Sequence, residues 1–418
     1  MKFCALLSLL AVGCLCVCSA PTEEDGIKPG SCQDPLAVSA AQLALTEINK
    51  DRQEGYIFTL LRLSNVHEMS HALTGQVFYL TLDVLETNCH VLTKKDWKSC
   101  PARPTENTPV YGQCKAAIYI NRAHRVVRLY KYNCVLRHVP AAKVLEICPD
   151  CPTAIALDND EVLYTVKHTL KKYNKENGLL NYFALLNITH ATAQMRTGMF
   201  YHVEYTIQET TCTKATDAAM VDTCPMMNCE FAHKGLCKAS HLHSHPHSHS
   251  HSHSHSHGEQ EFSVECEIFE PEAAEREKKL HLGGEAGHNH SAHHGHTHGH
   301  PHHHGHSHLH DHEHHHDHHD QNPEAAPRHQ PDGMVRMLPA IDQPMILPSF
   351  PDQPAGGPEV GVTLPLRPDP QIPGQREPTI LLFPSSMSAE CPGPLKEGTE
   401  NSLVEQVFAE DPMFKAAA

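Results

Sequence analysis

The sequence predicts an α+β protein: two tandem copies of a helix laid on an antiparallel sheet, followed by a largely disordered tail rich in histidine and proline. Three observations predict it. An internal repeat at an offset of 123 residues aligns "TGQVFYLTLDVLETNC", ending at Cys89, with "TGMFYHVEYTIQETTC", ending at Cys212. Each copy opens on a helical pattern and continues in alternating β-branched and aromatic runs. Beyond about residue 267, His and Pro dominate and apolar side chains become too sparse for a core.

The elements follow in chain order. Residues 1–20 combine an early lysine, a short apolar run and small residues near Ala20, the pattern of a signal peptide. No later apolar run reaches about 18 residues, so no membrane insertion is expected. The first domain spans 27–140. Its helix is read over "DPLAVSAAQLALTEINKDR", with Leu36, Ala40, Leu43, Ala44 and Leu45 to Ile48 at three- and four-residue spacing. Strands follow in "YIFTLLRLSNV", "GQVFYLTLDVLE" and "AAIYINRAHRVVRLYKYNC".

A rigid linker, 141–152, carries Cys148-Pro149-Asp150-Cys151-Pro152. The second domain, 153–267, repeats the helix with Val162, Val166, Leu170 and Tyr173 behind acidic residues suited to a helix N-terminus. It repeats the strands in "LNYFALLNITHATAQ" and "GMFYHVEYTIQET" and carries an inserted His-Ser tract. The tail, 268–418, is His-rich and then, from Gln321, Pro-rich, which reads as an extended linker.

Seventeen cysteines are present, and removing Cys4, Cys14, Cys16 and Cys18 with the leader leaves thirteen, an odd number, in an oxidising compartment. The formal net charge of −16 gives no nucleic-acid footprint. No nucleophile, base and orienting group occur together in a motif, so no enzyme activity is expected.

The linker motif admits bland readings. A redox Cys-x-x-Cys needs a low-pKa thiolate at a helix N-terminus, which Pro152 and an extended linker do not supply. A structural zinc half-site needs a second cysteine pair at matching distance. An interdomain staple is the remaining one. Against these, a Cys148–Cys151 bridge with Pro149 and Pro152 leaves almost no conformational freedom to lose on binding. In so small a ring the Asp150 carboxylate must face outward.

The helix ending in Asn-Lys, the strand, and the glycine opening a Tyr/Phe-rich strand that ends in cysteine resemble the cystatin fold. Two such copies with cysteines in this order, joined by "CPDCP", resemble the fetuin family of the cystatin superfamily. The resemblance implies six disulfides: Cys32–Cys391, Cys89–Cys100, Cys114–Cys134, Cys148–Cys151, Cys212–Cys224 and Cys237–Cys266. The repeat supports the four within domains, and Cys229 is left over or pairs alternatively with Cys224 or Cys237. The resemblance also implies a secreted inhibitor of astacin-like zinc metallopeptidases, acting in plasma or egg-associated fluid. Asp150 would enter the cleft and take the open position on the catalytic zinc, and hairpins from both domains, at Thr74-Gly75 and Thr197-Gly198, would flank it. Inhibition of papain-like enzymes is disfavoured: His71 to Gly75 lacks the Gln of the Gln-x-Val-x-Gly hairpin, and Gln194 to Gly198 places Arg196 where a small apolar residue should pack. Both glycines then read as turn residues.

Twenty-nine of the 39 histidines fall between His241 and His319. Neutral imidazoles ligate Zn, Cu or Ni, so weak, exchangeable, pH-dependent sites are expected among His241, His257, His302, His303, His304, His314, His315, His316, His318 and His319, with no cofactor required. This tail resembles histidine-rich glycoprotein in composition, and the alternative function is a plasma adaptor for divalent metal ions, heparin and anionic surfaces. A third reading, a calcium phosphate carrier, has only Asp83 and Glu86 to offer. Asn187 and Asn289 head N-glycosylation sequons, with Asn187 expected to be occupied.

Overall fold

The computed structural model describes residues 26–196, 198–216, 223–243, 262–271, 274, 330–341, 367–396 and 402–414. In the first domain, helix α1 (Pro35–Asp51) starts where the Asp34 carboxylate accepts the Leu36 amide at 3.0 Å and Pro35 supplies the first helical φ. The face it buries is Ala37, Ala40, Ala41, Ala44, Leu45 and Ile48. Leu36 and Leu43 point outward, contrary to a reading led by large side chains. Small alanines allow the helix to approach the sheet closely.

That sheet has six strands in the order β1 (Lys28–Pro29), β2 (Tyr56–His71), β3 (Gly75–His90), β4 (Val110–Asn121), β5 (Val126–His138) and β11 (Asp332–Leu338). The first four neighbouring pairs are antiparallel, and β11 joins β5 in parallel. A short helix, α2 (Ala141–Ile147), leads out of the domain.

The second domain repeats the plan. Helix α3 (Asp160–Glu176) is capped by Asn159 and packs Val162 and Val166 on a five-stranded sheet. Its order is β10 (Phe262–Phe269), β9 (Lys234–His243), β8 (Met199–Thr213), β7 (Asn181–Met195) and β6 (Thr153–Ala154).

The copies share irregularities as well as elements. Bulges between β2 and β3 begin after Tyr56, Leu60 and Leu63, and those between β7 and β8 begin 125 residues on, after Asn181, Leu185 and Ile188. Bulges bend a strand, so both sheets curve about their helices alike. The amides of Asn49 and Asn174, again 125 apart, each make two hydrogen bonds to the main chain of Phe58 and Phe183, tying helix end to first strand. Nearer the second hairpin the offset falls to 123, as between Gly75 and Gly198, so that copy is two residues shorter there.

Three stretches of the tail are exceptions to its linker-like composition. Strand β11 extends the first sheet. The stretch 367–396 runs back over the first domain: Asp369 pairs with Arg128 at 3.0 Å, and the Leu381 amide donates to the Tyr79 hydroxyl at 2.8 Å. Helix α4 (Ser402–Glu410) then packs its apolar face against Tyr111 and Val144. Cys32–Cys391 bridges this return across 359 residues, with Cα atoms 5.1 Å apart. The other disulfides are Cys89–Cys100, Cys114–Cys134, Cys148–Cys151, Cys212–Cys224 and Cys237–Cys266, and Cys229 carries an exposed free thiol.

Candidate functional site: the Asp150 loop

Helix α2 ends because Pro149 disfavours the helical conformation at Cys148. The Cys148 amide still donates to Val144 O at 2.9 Å, and the Cys151 amide turns back to Cys148 O at 3.1 Å. A disulfide with Cα atoms 5.3 Å apart closes the four-residue ring. Cys151 is buried, and beyond Pro152 the chain becomes β6, pairing Thr153 with Ala193 and Ala154 with Thr192 on β7. Gln194, next along β7 and itself buried, donates its Nε2 to the Asp150 carbonyl at 2.5 Å. The ring's main chain is therefore held by α2, by β7 and by its own crosslink. The Asp150 side chain is exposed, and no hydrogen bond or ion pair engages its carboxylate among the described residues. Exposed Ile147 and Met195 stand on the two segments beside it.

Gln194 is the functional residue that sequence reasoning missed. In sequence it reads only as part of the Gln194–Gly198 hairpin, whereas its amide faces inward and fixes the loop. Its signal in sequence was weak, since the partner lies 44 residues away.

The two hairpins do not flank the loop symmetrically. The β7–β8 turn, with Met195 and Gly198, adjoins it through Gln194. The β2–β3 turn does not: Cys151 shares a cluster with Leu85, ten positions along β3 from Gly75, about 33 Å of strand at roughly 3.3 Å per residue. Thr74 contacts Asn121 at that far end, 3.3 Å away, so Thr74 and Gly75 are corrected from flanking contacts to a remote tip. Nor is Gly75 a turn residue. The positive φ of that hairpin lies at Ala72, and a Cβ on Gly75 would meet the Tyr119 hydroxyl at 2.5 Å and its ring at 2.6 Å. A Cβ on Gly198 would meet the Leu242 side chain at 2.9 Å. Thr197 lies outside the described residues.

The domains meet in a buried polar cluster. Arg103 pairs with Glu204 at 3.2 Å and with Glu86 at 3.9 Å, and its guanidinium carbon lies 3.9 Å from the centre of the Tyr56 ring. Burial raises the Glu86 carboxyl, which Arg103 opposes. Thr108 meets His190 Nε2 at 2.9 Å, and the His138 and His190 rings lie 5.8 Å apart. Burial, reinforced by Arg103, pushes His138 down to about 4 and His190 well below its ordinary value. A cleft of 860 Å³ opens beside this cluster, with exposed Asn187 on its wall.

The other candidates separate as follows. Asp83 is buried against Arg62 at 2.6 Å and Gln113 at 2.9 Å, and Glu86 against Arg103, so neither offers an open acidic face. His241 is buried beside Glu161, 3.8 Å away, and no three-residue metal-holding group occurs among the described residues. His257, the named histidines from His302 to His319, Asn289 and residues 1–20 lie outside the described residues. Among those described, no helix is long and apolar enough to cross a membrane.

Two helix-on-sheet units joined by a crosslinked linker define a tandem cystatin protein, and the cystatin domain family matches residues 26–123 and 151–243. Mouse fetuin-B is 32% identical over 400 residues, 89% of each chain. Human fetuin-B is 40% identical over 244 residues, 58% of this chain, and the match spans 59% of that protein's length. Mouse fetuin-B in complex with crayfish astacin matches with a TM-score of 0.55 at 30% identity, covering 90% of this chain and 97% of that one. The inhibitory complex of human meprin beta with mouse fetuin-B gives 0.56 at 29% identity, covering 88% and 99%. The chain belongs to the fetuin-B family.

Proposed function

We propose that this protein is a secreted, non-enzymatic inhibitor of astacin-family zinc metallopeptidases, and that Asp150 binds the target's catalytic zinc. One observation carries the reading: an exposed, unpaired carboxylate on a crosslinked four-residue ring whose main chain is already fixed. Little ordering remains to be done on binding, which favours affinity. Such an oxygen is a competent zinc ligand at about 2.0–2.2 Å, and it displaces the water that attacks the scissile bond. The complexes of mouse fetuin-B with astacin and meprin beta support the target class.

Asp150→Asn tests the mechanism. The amide preserves shape and removes the charge the zinc selects. Inhibition of a purified astacin-family peptidase should weaken at least about tenfold, equivalent to about 1.4 kcal/mol, with stability unchanged within about 0.5 kcal/mol. Full potency in the Asn variant overturns the mechanism.

A further inference from the structure

Helix α2 and the ring after it bury little of their own. Of the seven α2 residues only Val144 is fully buried, and a helix that short is not stable alone in water. Val144 and Cys151 pack on Leu61, Leu85, Tyr111 and Val139 of the first domain, and the rest of their cover comes from the other end of the chain. Leu403, Val404, Val407 and Phe408 occupy one face of α4, each at most 5% exposed, in the same apolar cluster as Val144, Cys151 and Tyr111. Tyr111 lies 4.9 Å, ring centre to ring centre, from Phe408.

Polar contacts fix the helix in place. Asp411, fully buried, accepts from the Tyr111 hydroxyl at 3.0 Å and pairs with Arg137 at 3.1 Å. Glu410 pairs with Lys143 of α2 at 3.4 Å. The approach is also built, since the amides of Gly393 and Lys396 donate to Leu63 O and Leu61 O at 2.8 Å.

We propose that α4 is a positioning element for the Asp150 loop, so that inhibitory potency depends on a helix some 250 residues away in sequence from the ring it supports. The proposal rests on the Asp150 reading above. Without α4, Val144 and Cys151 lose one side of their apolar cover, and the ring keeps its crosslink, β6, Gln194 and the packing on Leu61, Leu85 and Val139. The peptidase then meets a mobile loop and the cost of ordering it falls on binding.

The experiment compares the unaltered protein with Phe408→Ala, Phe408→Leu and a truncation after Lys396 that retains the Cys32–Cys391 bridge. Readouts are the inhibition constant on an astacin-family peptidase and amide hydrogen exchange. The Ala variant and the truncation should lose at least about tenfold in potency, with faster exchange confined to 141–151 and β3 and β4 still protected. Leu should restore most of the potency. Unchanged potency and exchange in the Ala variant overturn the proposal, as does a loss accompanied by general exchange in β3 and β4, which marks a merely structural helix. Asp150→Asn runs beside them. If it keeps potency while Phe408→Ala loses it, the zinc-ligand reading fails and the positioning role stands. The reverse pattern removes the positioning role alone.

Discussion

The Gln194 side-chain amide donates to the main-chain carbonyl of Asp150 across the junction between linker and second domain, at 2.5 Å. A buried amide engaging that carbonyl fixes the orientation of the peptide carrying the Asp150 side chain. Gln194→Ala removes the donor and leaves the carbonyl to water. A single neutral hydrogen bond contributes on the order of 1 kcal/mol, so inhibition of an astacin-family peptidase should weaken by about fivefold, measured as the inhibition constant. Gln194→Glu should not restore potency, because an ionised carboxylate cannot donate.

Opening the ring tests preorganisation separately from the zinc ligand. Cys148→Ser with Cys151→Ser keeps Asp150 but lets the main chain sample other shapes. Potency should fall, with slower complex formation in stopped-flow measurements as binding waits on the competent conformer. Unchanged kinetics would show that Pro149, Pro152 and Gln194 suffice.

Arg103 is the charge on which the domain interface turns. Its partners Glu86 and Glu204 come from different domains, and Arg103→Ala takes from two substantially buried carboxylates the cation they share, leaving Glu204 only Lys238 at 4.0 Å and Glu86 only the more distant charge of Arg52. Breaking a buried pair in this way costs about 3–5 kcal/mol. Calorimetry should show a Tm lower by about 10 °C, and Arg103→Lys, which keeps charge but not the planar fork, should recover part of it.

The helix-and-sheet plan was legible because a repeated periodicity is visible without knowing which residues touch. The linker motif was legible for a similar reason: its cysteines and prolines constrain one another within five residues. What escaped depends on distant partners. The alanine face of α1 was hidden because larger leucines share its spacing, and only the sheet decides which side is inside. Gln194 bonds a carbonyl 44 residues away, so nothing adjacent marks it. Helix α4 does carry an i, i+1, i+4, i+5 apolar pattern at Leu403, Val404, Val407 and Phe408, but it follows a proline-rich run that reads as linker, and its surface is on the first domain.

The histidine tract is separable from inhibition if the Asp150 loop acts directly. Deleting residues 281–319 removes 20 of the 39 histidines. Zinc and nickel binding, followed by titration calorimetry, should fall by more than half, with inhibition of the metallopeptidase unchanged. Inhibition falling in step with metal capacity would instead mean that the protein strips zinc from the enzyme.

Acidification should loosen the contact between the domains. His138 is pushed down to about 4 by burial and by Arg103, and His190, facing Thr108, Arg103 and His138, is held well below its ordinary value of about 6.5. Both are neutral in the folded protein down to that depressed range, while the unfolded chain takes up protons below about 6.5. Between about 6.5 and 4 the unfolded state therefore binds more protons, and stability falls as pH falls. The contribution is fully present above about 6.5 and lost progressively toward 4. Between pH 7.5 and 5 the Tm should drop by at least about 5 °C. The drop should shrink in a His138→Gln, His190→Gln variant, whose interface has no imidazole left to charge at those positions. An equal drop in that variant would place the acid sensitivity elsewhere, in the carboxylates paired with Arg103 or in His90, which burial also holds down to about 4.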